Sequence, residues 1–186
     1  ADPRNLQELR ELAKALGPKQ TFIYAPLAVV KKEQCLPPTG TRNNPYFSLS
    51  GRYTRLYQSA RRNRPWTYSS SAHEPTAHLE RFPAVTFPDS TVVPAATLEE
   101  LLNDCGFPER IDLLWMDIEG AERGVLESTP SEVLERVGAI NMEAHKDALH
   151  DSSWSRLEAI AWLEAHGFRL IALANQDIFA VRKEIP

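Results

Sequence analysis

Asp117, Glu119, Glu143 and His145 are the residues of this chain whose types and spacing could do chemistry. Asp117 and Glu119 close the apolar run Ile111-Asp-Leu-Leu-Trp-Met116, and Gly120 follows them. Glu143 and His145 close a second such run, Ala139-Ile-Asn-Met142. Read as parallel neighbours joined by a helical crossover, these runs are strands ~4.8 Å apart. Their carboxyl ends then place all four side chains on one rim, where open α/β sheets bind ligands. A His beside carboxylates supplies a general base with an orienting partner. Three acids and a His are also a donor set for a hard divalent cation, and crowded carboxylates raise one another's pKa. The competing structural reading is that strand-end acids cap helices and His145 makes a structural hydrogen bond. The residue types favour a catalytic or ligand-binding role for at least one of the four; a metal is not the favoured reading. Glu122 reads as a first-turn helix acid rather than a catalyst.

The elements that must position this rim follow from apolar spacing. Asp2-Pro3 opens a helix through Leu16, stopped by Gly17-Pro18. Thr21 to Val30 reads as a strand with Pro26 at a break. From Cys35 to about Pro94 the periodicity fades, apart from short strands between Val85 and Val93, so an irregular insertion at 36–94 is expected. Thr97-Leu-Glu-Glu100 is a capping-box pattern leading into a helix that ends near Gly106. The run at 111–118 is expected to be buried on both faces, with Trp115 in the core. A helix with Ala121, Val125 and Leu126 inward follows, then a short one capped by Ser131 and reaching Val137. After the strand at 139–143, Ser153 to His166 reads as an amphipathic helix with Trp154, Leu157, Ile160, Ala161 and Leu163 inward, closed by Gly167. Phe168 to Ala174 and Ile178 to Val181, joined by an Asn175-Gln-Asp177 turn, form a closing hairpin. Alternating strands and helices say α/β, in one domain over 1–186.

Bulk properties narrow the partners. A formal net charge of −4 argues against a nucleic-acid binder, and no apolar run approaches the ~20 residues that span a bilayer. Cys35 and Cys105 lack metal-type spacing and are too few for a disulfide scaffold, so a reducing cytoplasm is the expected setting, with a single bridge between them as the alternative. Arg61, Arg62 and Arg64, among Tyr53, Tyr57 and Trp66, are candidate substrate contacts for an anionic or sugar-like molecule. The acidic total charge favours the plainer alternative, a solvated basic loop.

The stretches Thr97-Leu-Glu-Glu-Leu-Leu102 and Ile111-Asp-Leu-Leu-Trp-Met-Asp-Ile-Glu-Gly-Ala-Glu122 resemble the FkbM-type S-adenosylmethionine-dependent methyltransferases. That family shows a "TLDDLL" helix before a strand reading roughly "IDLLKIDVEGAE"; Trp115 stands where it usually has Lys. Met142-Glu-Ala-His145 is similar to its "E-x-H" after the next strand. The likeness covers about two thirds of the chain, with 36–68 outside it. It implies a Rossmann-like class I fold, mostly parallel with a C-terminal antiparallel hairpin, and O-methylation of a small molecule or glycan. S-adenosylmethionine is the implied cofactor, with Asp117, Glu119 and Gly120 lining its crevice. Asp117, Glu143 and His145 are the implied catalytic residues, Asp117 first among them. No G-x-G occurs in the 186 residues, although the family carries a Gly-rich loop after its first strand. The expectation is therefore a chain truncated at its N-terminus, whose strand at 111–118 would present a bare apolar edge. The alternatives are a non-catalytic Rossmann-like binding module and a metal-dependent hydrolase built on the same acid and His rim.

Overall fold

The computed structural model describes residues 28–30, 52–61, 64–65, 69–75, 77–104, 107, 109–148 and 153–183, with the single positions Gln7 and Glu11. Both single positions are helical, as the opening pattern predicts; Arg62 and the remainder of the expected first helix and strand lie outside the described residues. The architecture is mixed α/β with two four-stranded sheets.

The first sheet has the order β1-β4-β2-β3, from β1 (Ala28–Val29), β2 (Arg52–Arg61), β3 (Arg64–Pro65) and β4 (Val85–Ala96). The stretch expected to be irregular thus contains the two longest described strands. β2 and β4 pair antiparallel from Arg52 opposite Ala95 to Arg61 opposite Val85, with a register shift between Gln58 and Ala60. A small cluster of Ala28, Val30, Leu56, Val93 and Ala95 anchors one end. Between β3 and β4 lies the short helix α1 (Ala77–Arg81).

The second sheet has the order β5-β6-β8-β7, from β5 (Leu114–Met116), β6 (Ala139–Glu143), β7 (Phe168–Ala174) and β8 (Asp177–Arg182). Only β5 and β6 run parallel; β6/β8 and β7/β8 are antiparallel. The closing hairpin forms as expected, but the sheet is mixed rather than mostly parallel. Helices α2 (Leu98–Asp104), α3 (Glu122–Ser128), α4 (Ser131–Leu134) and α5 (Arg156–Ala165) connect or flank it. Leu98, Leu102, Met116, Val125, Leu126, Val137, Ile140, Met142, Leu163, Phe168 and Ile178 are among the buried side chains of one continuous core.

Local chemistry explains the element boundaries. The capping box at α2 forms as read: the Glu100 N–H donates to Thr97 Oγ1 (3.2 Å) and the Thr97 N–H to Glu100 Oε2 (3.0 Å). A second box opens α5, where the Ser155 N–H donates to Glu158 Oε2 at 2.8 Å. Ser131 is the first residue of α4 rather than its cap, which is Pro130, and the helix stops at Leu134, short of Val137, which bridges to Ile111 instead.

Two burial expectations are corrected. β5 is an edge strand among the described residues, buried on one face only: Met116 is buried, whereas Leu113 and Trp115 are 47% and 71% exposed. Trp115 is therefore not core, because period-two alternation turns it away from the sheet's packed face. On α5, Ala159 and Leu163 face inward, while Leu157 (78% exposed) and Ala161 face out. Among the described residues no helix is long and apolar enough to cross a membrane.

Candidate functional site

The rim at the carboxyl ends of β5 and β6 is built by three turns. After β5 the chain bends sharply: Glu119 (φ 53°) and Gly120 (φ 93°) are both left-handed. Glycine tolerates this at position 120, and Glu119 is held to it from outside. The buried Ser71, next to β2 through a bridge to Tyr57, donates its Oγ–H to the Glu119 carbonyl at 2.7 Å. One hydroxyl of the first sheet's side thereby fixes a functional turn of the second. Below it the buried Glu122 accepts the Ile118 N–H at 2.9 Å, closing the turn from the helix side.

After β6, Ala144 and His145 are pinned by their backbones. The Ala144 N–H donates to the Gln176 carbonyl (2.6 Å), and Arg156 donates its N–H to the His145 carbonyl (2.8 Å) and its Nε to the Ala144 carbonyl (3.0 Å). So fixed, His145 Nε2 lies 3.1 Å from Glu143 Oε1. A carboxylate at this distance selects the ring orientation and stabilises the protonated imidazole, the arrangement of a general base.

Two cavities share this rim. A narrow cleft of about 20 Å³, room for about one water, is lined by Glu119, Gly120, Glu122, Glu143, His145 and Trp154. A wider cavity of about 480 Å³ meets Glu119, Glu143 and His145 from the other side, with Arg61, Arg81 and Gln176. The structure thus unites Glu119, Gly120, Glu143 and His145, as expected. Asp117, just past β5, is exposed and lines neither cavity, yet it stays within charge reach of Glu119 and Glu143. Arg61 reaches the wider cavity, whereas Arg64 is exposed and lines neither. Among the described residues no group of three or more His, Cys, Asp or Glu side chains is arranged to hold a metal ion.

Burial and mutual repulsion dominate the electrostatics. Glu119 is pushed up to about 8, first by burial and then by the charges of Glu143, Asp117 and Glu122. Glu122 rises to about 7 through burial, against the backbone N–H groups that stabilise its anion. Asp117 is raised by partial desolvation, then by Glu143 and Asp177. Around neutral pH the rim therefore carries protons on acids that are normally ionised. Sequence reasoning missed the burial of Glu122, whose only signal is its place four residues after Ile118. Arg81 and Ser71 carried no signal, because their approach depends on the first sheet, whereas Gln176 comes from the predicted β7/β8 turn.

Residues 3–170 match the methyltransferase FkbM domain. The chain belongs to the FkbM methyltransferase family. The 2-O-methyltransferase NoeI of Sinorhizobium fredii (strain NBRC 101917 / NGR234) is 36% identical over 61 residues, covering 33% of this chain and 25% of that protein. The aligned part is thus about a quarter of the relative's length. No solved structure matches the chain.

Proposed function

We propose that this methyltransferase is S-adenosylmethionine-dependent, has a Rossmann-like fold, and methylates a hydroxyl of a small molecule or glycan, with His145 as the proton acceptor. The observation that carries this reading is the Glu143–His145 pair, 3.1 Å apart and open to both cavities, in a chain of the FkbM family. Methyl transfer to oxygen needs alignment and a base for the departing proton. His145 takes that proton, and Glu143 stabilises the resulting imidazolium. The β5/β6 parallel pair with its rim at the carboxyl ends supports the Rossmann-like assignment. The name of the NoeI relative supports oxygen as the accepting atom.

The donor set on the rim fits the cofactor's chemistry. S-adenosylmethionine carries a sulfonium and an ammonium, and Glu119 and Glu122 offer raised, partly protonated carboxyls that ionise when a cation arrives. Glu119 and Gly120 would hold its cationic end, with Asp117 at the outer margin. When bound, the cofactor supplies an electrophilic methyl group. Trp154 adds an apolar wall to the narrow cleft.

Calorimetric titration of S-adenosylhomocysteine into the protein tests the cofactor. Saturable binding that weakens in Glu119→Lys, with the variant still folded, is the expected result; no binding by the folded protein overturns the assignment.

A further inference from the structure

We propose that Arg156 is a positioning residue for the site: from outside both cavities, its guanidinium braces the loop that carries His145 against the turn that carries Gln176. That the brace serves a proton acceptor rests on the methyl-transfer reading; the brace itself does not.

Arg156 opens α5. A cation there meets the positive end of the helix dipole, so the helix gains nothing from this charge. Its donors serve the rim instead. The backbone N–H bonds the His145 carbonyl (2.8 Å), Nε the Ala144 carbonyl (3.0 Å), and Nη2 the Asn175 carbonyl. Ala144 and His145 follow β6, whereas Asn175 lies in the β7/β8 turn, so one side chain ties the two segments together. The Ala144 N–H, bonded to the Gln176 carbonyl at 2.6 Å, joins the same two. Among the described residues no carboxylate pairs with Arg156. Its charge strengthens bonds to main-chain oxygens.

Backbone geometry points the same way. Among the described residues only Glu119 (φ 53°) and Asn175 (φ 55°) are left-handed without being glycine. Both stand in turns of this rim, and each has its carbonyl held by a side chain from elsewhere. Ser71 Oγ holds Glu119, and Arg156 Nη2 holds Asn175. Uncommon backbone conformations persist where surrounding contacts over-determine them, and they gather at functional sites. Gln176, next to Asn175, lines the wider cavity with His145. Without the guanidinium, the loop after β6 loses its side-chain tie to that turn, and the 3.1 Å contact of His145 with Glu143 loosens.

Carbethoxylation of histidine by diethyl pyrocarbonate, resolved by peptide mass spectrometry, measures this placement without an acceptor substrate. The His145 side chain is 11% exposed and sits against Glu143, so the reagent reaches it when the loop opens. His166, exposed at the far end of α5, is the internal reference. Arg156→Met removes the guanidinium; Arg156→Lys keeps the charge without the fork. Arg182→Met is the control, since Arg182 also donates to main-chain carbonyls, those of Leu134 and Val137, at the opposite end of β6. Circular dichroism verifies each fold. In Arg156→Met, His145 should react about tenfold faster relative to His166, the value of one charge-assisted bond. Arg156→Lys should fall between, and Arg182→Met should match the wild type. Should Arg156→Met not fold, Arg156→Lys decides alone. A His145 rate that stays level with His166 in the folded Arg156 variants, or rises equally in Arg182→Met, overturns the inference. Turnover separates the two readings. If His145→Ala keeps full turnover while Arg156→Met frees the ring, the brace stands and the base assignment falls. If His145→Ala loses turnover while the ring stays protected, the base stands and the brace falls.

Discussion

The two sheets are held together by different physics. The second sheet packs helices onto a continuous core in which Leu126, Ile140, Phe168 and Ile178 are at most 0% exposed. The first owes its shape to the long β2/β4 ladder, and among the described residues its apolar cluster is small: Ala28, Val30, Leu56, Val93 and Ala95. Stability therefore resides in the β5–β8 sheet, and the β2/β4 ladder lends one wall to a site that the other sheet makes rigid. The difference teaches that a site can be anchored by one layer and given its selectivity by another.

The widest contrast should appear in core truncations. Ile140→Ala should cost about 2–5 kcal/mol, whereas Leu56→Ala should fall near the low end of that range, about 2, because its small cluster has room to collapse. Urea midpoints measure both, and equal losses would break the contrast. Next comes chemistry: His145→Ala should lower turnover by about 100-fold and remove the acidic limb of the pH–rate profile, where a protonated base cannot accept, with the fold intact. An unchanged profile removes the base assignment.

Acidity gives a third probe. Glu122 goes from 4.5 when exposed to about 7 in the fold, and Glu119 from 4.5 to about 8. An acid raised by folding is tolerated best while protonated. Its contribution is therefore fully present below pH 4.5 and is lost as pH climbs, through 7 for Glu122 and 8 for Glu119. Glu122→Gln keeps an acceptor for the Ile118 N–H but removes the charge. It should match the wild type at pH 4.5 and be the more stable protein at pH 8 by thermal melting. A wild-type stability that rises across this window would contradict the buried-acid picture. The smallest effect should be Ser71→Ala, about 1 kcal/mol for the lost hydrogen bond to the Glu119 carbonyl. If it also weakens S-adenosylhomocysteine binding, the first sheet positions the turn as well as lining the site.

What could be read from the sequence divides along the same line. Apolar period and strand-end acids place β6, the β7/β8 hairpin, α2 with its Thr97 capping box, and the meeting of Glu119, Glu143 and His145. β4 was legible only as short strands between Val85 and Val93, and β2 not at all, because RYTRLYQSAR interleaves its apolar residues with arginines and VTFPDSTVVPAA carries two prolines. Their pairing comes from backbone hydrogen bonds, which leave no side-chain pattern. Among the described residues β4 has β1 beside it only at Ala95 and Ala96, so Pro88 sits where that flank demands no N–H. Trp115 misled because an apolar run looks the same whether a strand is buried on one face or two. Glu119 is the acid that lines both cavities, whereas Asp117 stands at their margin within charge reach of Glu143.

The tryptophans carry an optical consequence. Trp154 is 8% exposed against the narrow cleft, while Trp115 is 71% exposed on the edge strand. Their emission should differ in colour and in access to an aqueous quencher. Iodide will dim Trp115 and spare Trp154, whose ring lies 5.1 Å from that of Trp162, so a ligand entering the cleft will be seen in the blue-shifted, iodide-resistant light that this pair shares. The protein thus carries its own label for filling of the site, without any dye, and a second label for whatever approaches the edge of β5.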